Sequence, residues 1–391
     1  MNRYLLPLLI AQFLSAFADN TILFTVIAMV MKAADRASWY VPALQSVFIV
    51  AFVVLAPWVG VIADKYPKSR VLMIANLLKA GGAGLLLLQV EPLIAYCLVG
   101  VGAAVYSPAK YGILPELAGH DTLVKANSWI EGSTILAILT GMVVGAKVAD
   151  YSVTWALCGS IGLFLISAAV TLALPTASGI KTPSGWKIRV FYQEVSSFLA
   201  HTRTRFAVLG GSLFWATAAC VRVIIIAWAP LVLMTQNASD IAQLTLYLAI
   251  GIVVGAALVP RLIPLEHLRR TRFAAHSMGL LIIGLSLTEA IWPARSVLFF
   301  IGAAGGMMIV PINAALQEIG KLSIGSGGAV AMQNFFQNVA MLLSVGLYTL
   351  AASQHVGPVL ALIALGGLLI TATILLMLHL PESATNSSNP E

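Results

Sequence analysis

The sequence at residues 39–70 reads WYVPALQSVFIVAFVVLAPWVGVIADKYPKSR, an apolar run followed by a short basic loop. The run at 39–63 can cross a bilayer as one helix, because a span needs about 20 apolar residues. The same alternation fills nearly the whole chain. It predicts an all-α integral membrane protein with twelve transmembrane helices, at 4–32, 39–63, 71–90, 92–118, 124–149, 152–174, 205–235, 239–262, 272–292, 295–319, 325–352 and 355–380.

The composition excludes a soluble protein. Hydrophobic residues make up 60% of the 391 positions and charged residues only 9%, and a soluble fold could not cover that much apolar surface. The net charge of +7 does not indicate nucleic-acid binding, because the basic residues lie mostly in the loops between spans. Cys97, Cys158 and Cys220 all fall within spans, so we expect no disulfide, no metal site and no cofactor.

The basic residues are distributed unequally between the two sides of the membrane. If the loops alternate from the N-terminus, one side holds fifteen Lys and Arg and the other holds four. The positive-inside rule then places both termini in the cytoplasm. The asymmetry also supports the count of twelve, because a missed helix would disrupt the alternation.

A polar stretch at about 176–205 separates six spans from six. We predict an N-terminal six-helix bundle (1–174), a cytoplasmic basic linker (175–204), a C-terminal six-helix bundle (205–380) and a polar tail (381–391). The linker is either an amphipathic segment on the membrane surface or a plain connection. The first alternative rests on Trp186, Lys187, Arg189, Val190 and Phe191.

Two pairs of glycines have the spacing that lets membrane helices approach closely. These are Gly141 with Gly145, and Gly251 with Gly255. Small residues four positions apart commonly serve helix packing, and we prefer that interpretation to a gating role.

The loop after the second span carries a signature of charged residues. It resembles the G-x-x-x-D-K/R-x-G-K/R-K/R pattern of the major facilitator superfamily, in which this cluster holds one conformation of two bundles. Pro67 replaces the usual glycine and Ser69 replaces one basic residue, so the contact is predicted to differ in detail. The residues of this predicted latch are Gly60, Asp64, Lys65, Lys68 and Arg70.

Five charged residues lie more than five positions from either end of a predicted span, where each costs about 2.5–3.5 kcal/mol on insertion scales. Lys110 and Glu131 lie at similar distances from the turn near Asp121, so they can pair, either structurally or in a site. Asp19 and Arg222 hold equivalent places in the first and seventh spans at similar depth. We predict that these two line a central site between the bundles. The fifth charge is Lys79.

Polar residues in the same spans extend the predicted substrate-binding or gating site, although some of them serve only helix–helix hydrogen bonds. No nucleophile elbow, phosphate-binding loop or metal-ligand spacing occurs, so we do not expect an enzyme. The polar candidates are Asn20, Tyr106, Asn127, Asn334 and Gln337, with Gln12, Asn76, Asn313, Gln333 and Asn338 as neighbours.

Longer strings resemble the bacterial lysophospholipid transporter family. They are AQFLSAFADN (11–20), VGVGAAVYSPAKYGILPEL (99–117), LVKANSWIEGSTILAILTG (123–141), GSLFWATAACVRV (211–223) and NAALQEIGK (313–321). The resemblance implies a monomeric flippase that moves lysophosphatidylethanolamine and lysophosphatidylglycerol from the outer to the inner leaflet. It also implies re-acylation by an acyltransferase, which here must be a separate protein. Arg222, helped by Lys110 or Lys79, would hold the phosphate, and Asp19 would hold the ammonium or pair with Arg222.

One departure from the family concerns the eleventh span. The family pattern implies an acid near Gln337, and this sequence has none between Glu318 and Glu382. A salt bridge across the bundles to that position is therefore not expected, although Gln337 can still form hydrogen bonds.

Two other functions are compatible with these residues. The first is a proton-coupled exporter of drugs or small hydrophobic compounds, with Asp19 or Glu131 as the proton site. The second is a membrane scaffold or sensor that transports nothing. Buried charges in both halves argue against the scaffold, because such a protein has no need to bear their cost.

Overall fold

The computed structural model describes residues 4–32, 40–175, 188–234, 238–263 and 265–378, and the elements of these ranges are helices. A short 3-10 helix at Leu265–Arg270 precedes the tenth α-helix. The α-helices are α1 (Leu5–Lys32), α2 (Tyr40–Lys65), α3 (Lys68–Leu87), α4 (Pro92–Gly112), α5 (Leu114–Tyr151), α6 (Val153–Thr171), α7 (Ile188–Ala200), α8 (Thr202–Val232), α9 (Ala238–Leu262), α10 (Thr271–Leu285), α11 (Ile291–Leu322), α12 (Ser326–Ser353) and α13 (Pro358–Leu378).

The prediction of an all-α integral membrane protein is confirmed. Eleven helices in the described ranges are long and apolar enough to cross a membrane. The predicted span at 272–292 corresponds to α10, which has only 15 residues. After Leu285 the backbone continues in i→i−3 hydrogen bonds, and the hydroxyls of Ser286 and Thr288 donate to the carbonyls of Ile283 and Leu285.

The linker contains an additional helix. Its residues Ile188–Ala200 form α7, so a plain connection is wrong for this part of the chain. Trp186 and Lys187 lie outside the described residues. Between α4 and the long part of α5 the chain reverses at Gly119, whose φ of 70° is a conformation that glycine adopts readily.

The two halves repeat one packing pattern. In the first half α1 packs on α5 and α6, α4 packs on α2 and α3, and α3 packs on α6. The helices α8 to α13 repeat these contacts in the same order. Across the halves, α2 packs on α12 and α5 packs on α9, which are equivalent pairs. The arrangement therefore has the pseudo-symmetry of two related six-helix units.

The two halves contact each other mainly near one membrane face. We refer to the face where α1 begins as the inner side, following the charge-based prediction that the N-terminus is cytoplasmic. The buried residues of α12 all lie between Ser326 and Asn338, at its inner end, whereas its outer half is largely exposed. A cleft between the halves therefore opens toward the outer side.

The paired glycines permit close helix contacts, as the packing interpretation requires. A Cβ atom on Gly141 would lie 2.6 Å from the carbonyl oxygen of Phe17, and one on Gly145 would lie 2.6 Å from the Cα of Thr21. Gly251 and Gly255 face the α11 backbone even more closely. Any larger side chain would separate these helices.

We predict that Gly141→Ala destabilises the protein although alanine favours helices more than glycine does. The added methyl group would overlap the α1 backbone, and overpacking typically costs about 1–3 kcal/mol. Gly159→Ala is the matched control, because nothing lies within 4 Å of its Cβ position. Thermal unfolding in detergent should show a lower Tm for Gly141→Ala only. An equal Tm for both variants would contradict the packing role.

Candidate functional site

The carboxylate of Asp64 joins the two halves at the inner side. Its two oxygens accept hydrogen bonds from the backbone N–H groups of Gly327, at 2.8 Å, and Gly328, at 2.6 Å. These are free N–H groups of the first turn of α12, where the helix dipole favours a negative charge. The contact therefore connects the end of α2 to the start of α12 through a charge-assisted pair of hydrogen bonds.

The glycines around this contact allow the backbones to meet. A Cβ on Gly60 would lie 2.8 Å from the Cα of Gly328. Gly325 has a φ of 93° and precedes α12, so the chain turns into the helix beside Asp64. Larger residues at these places would hold α2 and α12 apart.

The other residues of the predicted latch differ in what they contact. Lys68 is buried, and its ammonium lies 2.7 Å from Glu116 and 3.9 Å from Asp64. Lys65 and Arg70 are exposed at the surface. Pro67 directly precedes α3 with a φ of −53°, which suits a helix start, so proline in place of glycine does not disturb the loop.

A layer of amide groups lies next to this contact and also crosses the halves. Asn127 and Gln317 exchange two hydrogen bonds, at 2.9 and 2.8 Å. Asn334 donates to the hydroxyl of Ser107 at 2.9 Å. Gln317 was missing from the predicted site, although a polar residue at a buried position of a span was a signal that could have identified it.

Glu131 is the buried carboxylate of this layer. It accepts hydrogen bonds from the Tyr111 hydroxyl at 2.7 Å and from Asn313 at 3.0 Å, and Gln333 donates to Asn313 at 2.7 Å. The predicted direct pair with Lys110 is wrong. The Lys110 ammonium instead lies over the Tyr111 ring, 3.9 Å from its centre, and the hydroxyl of the same tyrosine donates to Glu131.

Asp19 pairs with Lys79 inside the first half. The Lys79 ammonium lies 2.7 Å from Asp19 and 3.0 Å from the Ser15 hydroxyl, and it stacks on the Tyr106 ring at 4.7 Å. The Ser15 hydroxyl donates a hydrogen bond to the Asn76 side-chain oxygen at 2.8 Å. Lys79 is only 1% exposed, and a buried ammonium needs a nearby carboxylate to offset the loss of hydration. The long side chain of Lys79 extends from α3 to Asp19 of α1.

Arg222 lies apart from Asp19, so a pair between these two residues does not form in this conformation. On the same face of α8, Thr204 and Val208 are buried near the inner end, whereas Arg222 and Ile226 are exposed near the outer end. Burial decreases along this face toward the outer side, because the two halves contact each other mainly at the inner side. We infer from this gradient that the face borders the cleft and that Arg222 faces its outer part.

Two cations of the spans have no carboxylate partner among the described residues. Lys110 and Arg222 form neither a salt bridge nor a hydrogen bond there, in contrast to Lys79. Arg222 is twenty residues beyond the start of α8 and Asp19 fourteen beyond the start of α1, which places Arg222 about 9 Å farther out. The expectation of similar depth is therefore only approximate.

The remaining predicted residues mainly support packing. The Asn20 amide donates to the Ala16 carbonyl at 2.8 Å, and its Cβ faces Gly141 of α5. The Gln337 amide lies against Gly211 of α8. Gln12 donates to the Thr134 hydroxyl at 2.8 Å. These contacts are one hydrogen bond within α1 and, for the others, hydrogen bonding or close packing between neighbouring helices.

Comparisons with known proteins agree with this architecture. The profile of the Major Facilitator Superfamily matches residues 8–325. The lysophospholipid transporter LplT of Photorhabdus laumondii is 40% identical over 373 residues, which covers 94% of each chain. LplT of Salmonella typhimurium is 42% identical over 355 residues, covering 90% of this chain and 88% of that protein. Among solved structures, the human organic anion transporter MFSD10 superposes with a TM-score of 0.79 at 12% identity, covering 96% of this chain and 99% of that one.

We predict that Asp64→Asn opens the inner side. An asparagine has one acceptor oxygen and no charge, so it cannot satisfy both N–H groups of α12. With the three native cysteines replaced, Ile226→Cys would report the outer cleft through labelling by a membrane-impermeant maleimide. Asp64→Asn should slow this labelling several-fold.

Lys125→Gln is the control for this measurement, since it also changes one charge on the inner side and lies away from α12. Labelling that is equally fast in Asp64→Asn and the parent would show that the contact does not hold the cleft open.

Proposed function

We propose that this chain, which belongs to the lysophospholipid transporter family of the major facilitator superfamily, carries lysophospholipids across the bacterial inner membrane. The transported lipids are lysophosphatidylethanolamine and lysophosphatidylglycerol, moved from the outer to the inner leaflet. The curated relatives named above support a lysophospholipid substrate. The direction of transport and the head groups of the transported lipids belong to the proposal.

The observation that carries the proposal is the pair of cations without a salt bridge to a described carboxylate, Lys110 and Arg222. A lysophospholipid has a phosphate that must leave water to cross the bilayer, and an unpaired buried charge costs several kcal/mol or more. Each cation can offer that phosphate a charge-assisted hydrogen bond. Because Arg222 lies in the open outer part and Lys110 lies deeper, the phosphate would meet Arg222 first and Lys110 second.

Asp19 supplies the complementary charge for an ammonium group. One of its oxygens holds Lys79, and the other, Oδ1, accepts no hydrogen bond from a described residue. A buried acceptor without a partner favours a ligand that donates to it. The ammonium of lysophosphatidylethanolamine or a hydroxyl of lysophosphatidylglycerol is such a donor.

Transport then requires the inner contacts to open while the outer cleft closes. The bonds of Asp64 to α12 and the exchange between Asn127 and Gln317 must both break, and water can replace each of them. We infer that the bundles 1–174 and 205–380 move as two units in this step. The linker 175–204 and the tail 381–391 remain outside the transport path.

Acylation after transport gives inward movement of the lipid its direction. Acylation of the lysolipid in the inner leaflet removes the transported species, so transport can run downhill without a dedicated proton relay. We propose that a separate acyltransferase performs this step and that the transporter acts as a monomer with both termini in the cytoplasm.

We predict that Arg222→Ala and Lys110→Ala each lower lysolipid uptake about tenfold or more, because a hydrogen bond to a charged group contributes about 1.5–3 kcal/mol. Arg222→Lys should retain part of the activity, since it keeps the charge but loses the planar fork. Uptake is measured in spheroplasts that lack the native transporter, at matched expression.

Lys147→Gln is the control, because this exposed cation lies at the outer end of α5, away from the cleft. Normal uptake in both alanine variants would remove these cations from the mechanism. If an uncoupler abolishes uptake and lysolipids do not compete for it, the result would support the proton-coupled exporter instead.

A charge-neutral double variant separates the structural role of the Asp19–Lys79 pair from its role in transport. Removing one partner of a buried pair typically costs about 3–5 kcal/mol, so Asp19→Asn and Lys79→Met should each lower the Tm. The double variant should recover most of the Tm but not the uptake of lysophosphatidylethanolamine. Recovered uptake in the double variant would mean that the pair is purely structural.

A further inference from the structure

A second lipid-sized cavity lies on the outside of the C-terminal half. It is a groove between α8, α12 and α13 with a volume of about 560 Å³. Its walls are mostly apolar, with Leu209, Leu213 and Ala216 of α8 facing Ala340 of α12 and Leu376 of α13. The volume lies within the range of small-molecule sites, about 300–1,000 Å³.

This groove is separate from the cleft that contains Arg222. At about 100° per residue, Leu209, Leu213 and Ala216 lie roughly a third of a turn around α8 from the face of Val208 and Arg222. The helix α13 contacts α8 and α10 and lies at the periphery of its half. A ligand therefore reaches the groove from the bilayer and not from the cleft.

The length of the groove matches one leaflet. From Arg205, near the inner end of α8, to Ala216 is eleven residues, or about 16 Å along the helix axis. Half of the hydrocarbon core is about 15 Å thick. One acyl chain of an inner-leaflet lipid would therefore extend along the groove from its head group to the bilayer midplane.

The polar groups of the groove lie at its inner end, where lipid phosphates are found. Arg205 and Thr202 line the groove one turn or less from the start of α8, and Arg205 has no ion-pair partner among the described residues. Its neighbour Arg203 lies 3.8 Å from Glu318 and is thus already paired. A guanidinium at the interface binds phosphate through its planar fork.

Among the described residues that line the groove, none is acidic. An ammonium-bearing head group would therefore find no carboxylate there, whereas an anionic head group would meet only the arginine. Positive charge near the inner surface attracts anionic lipids. The charge of the groove thus selects for net negative lipids.

We propose that this groove binds an anionic diacyl phospholipid of the inner leaflet, with its phosphate on Arg205 and Thr202 and one acyl chain along Leu209, Leu213 and Ala216. This lipid is a resident ligand that stabilises the packing of α8 against α12 and α13, and it is not the transported molecule. The proposal does not depend on what the cleft carries.

The test titrates purified protein in detergent with phosphatidylglycerol or phosphatidylcholine and follows the Tm, together with native mass spectrometry of bound lipid on the folded fraction. Phosphatidylglycerol should raise the Tm of the parent more than phosphatidylcholine does. Arg205→Gln should weaken apparent phosphatidylglycerol affinity about tenfold, and Ala340→Leu, which fills the groove, should do the same. Arg205→Lys should keep part of the affinity.

Arg272→Gln is the matched control, because Arg272 is an exposed cation near the inner end of α10 and does not line the groove. It should keep the parent's response. The proposal is overturned if Arg205→Gln and Ala340→Leu bind phosphatidylglycerol like the parent, or if phosphatidylcholine binds equally well. Arg222→Ala should leave the phosphatidylglycerol response intact, which separates this lipid from the cleft.

Discussion

A charge that enters the hydrocarbon layer must find a counter-charge, a polar partner or water, and this constraint organises the transmembrane charges of the protein. Lys79 satisfies it through Asp19 and Ser15 inside the first half. Glu131 satisfies it through Tyr111 and Asn313. Arg222 satisfies it by facing the open cleft. The cleft is therefore where uncompensated positive charge is available to a ligand.

The inner closure is built from groups that water can replace. A carboxylate meets helix N–H groups, amides exchange hydrogen bonds with amides, and glycines bring the backbones together. No direct salt bridge between two side chains of opposite charge joins α2 to α12 in the described contact at Asp64. In an open state, water forms comparable hydrogen bonds with these same groups. The net free energy that each contact contributes to the closed inner side is therefore small. Such a closure suits two halves that must separate and rejoin.

One helix connects the two lipid-related features of the C-terminal half. The face of α8 with Val208 and Arg222 borders the cleft, and another face, with Leu209 and Leu213, borders the membrane groove. A lipid on the membrane side would fix the packing of the helix that presents Arg222. The proposed substrate site and the proposed lipid groove thus lie on different faces of a single helix.

Much of the architecture follows from local sequence, because a bilayer demands long apolar helices and a polar loop at each end. The residues 39–70 already contain both parts of that pattern, and α2 ends within two residues of the predicted span. The shortened α10 was not predictable from hydropathy. After Leu285 the backbone changes to i→i−3 hydrogen bonds, a geometry that hydropathy does not report.

The sequence also identified which charges lie in the membrane, since Asp19, Lys79, Lys110, Glu131 and Arg222 interrupt apolar runs. Only the tertiary structure decided their partners. Asp19 reaches Lys79, 60 positions away in the chain, and Tyr111 contacts both Lys110 and Glu131. Hydropathy reports the depth of a side chain along its own helix, whereas pairing depends on how each helix is rotated toward its neighbours, and that rotation is set by packing between distant segments.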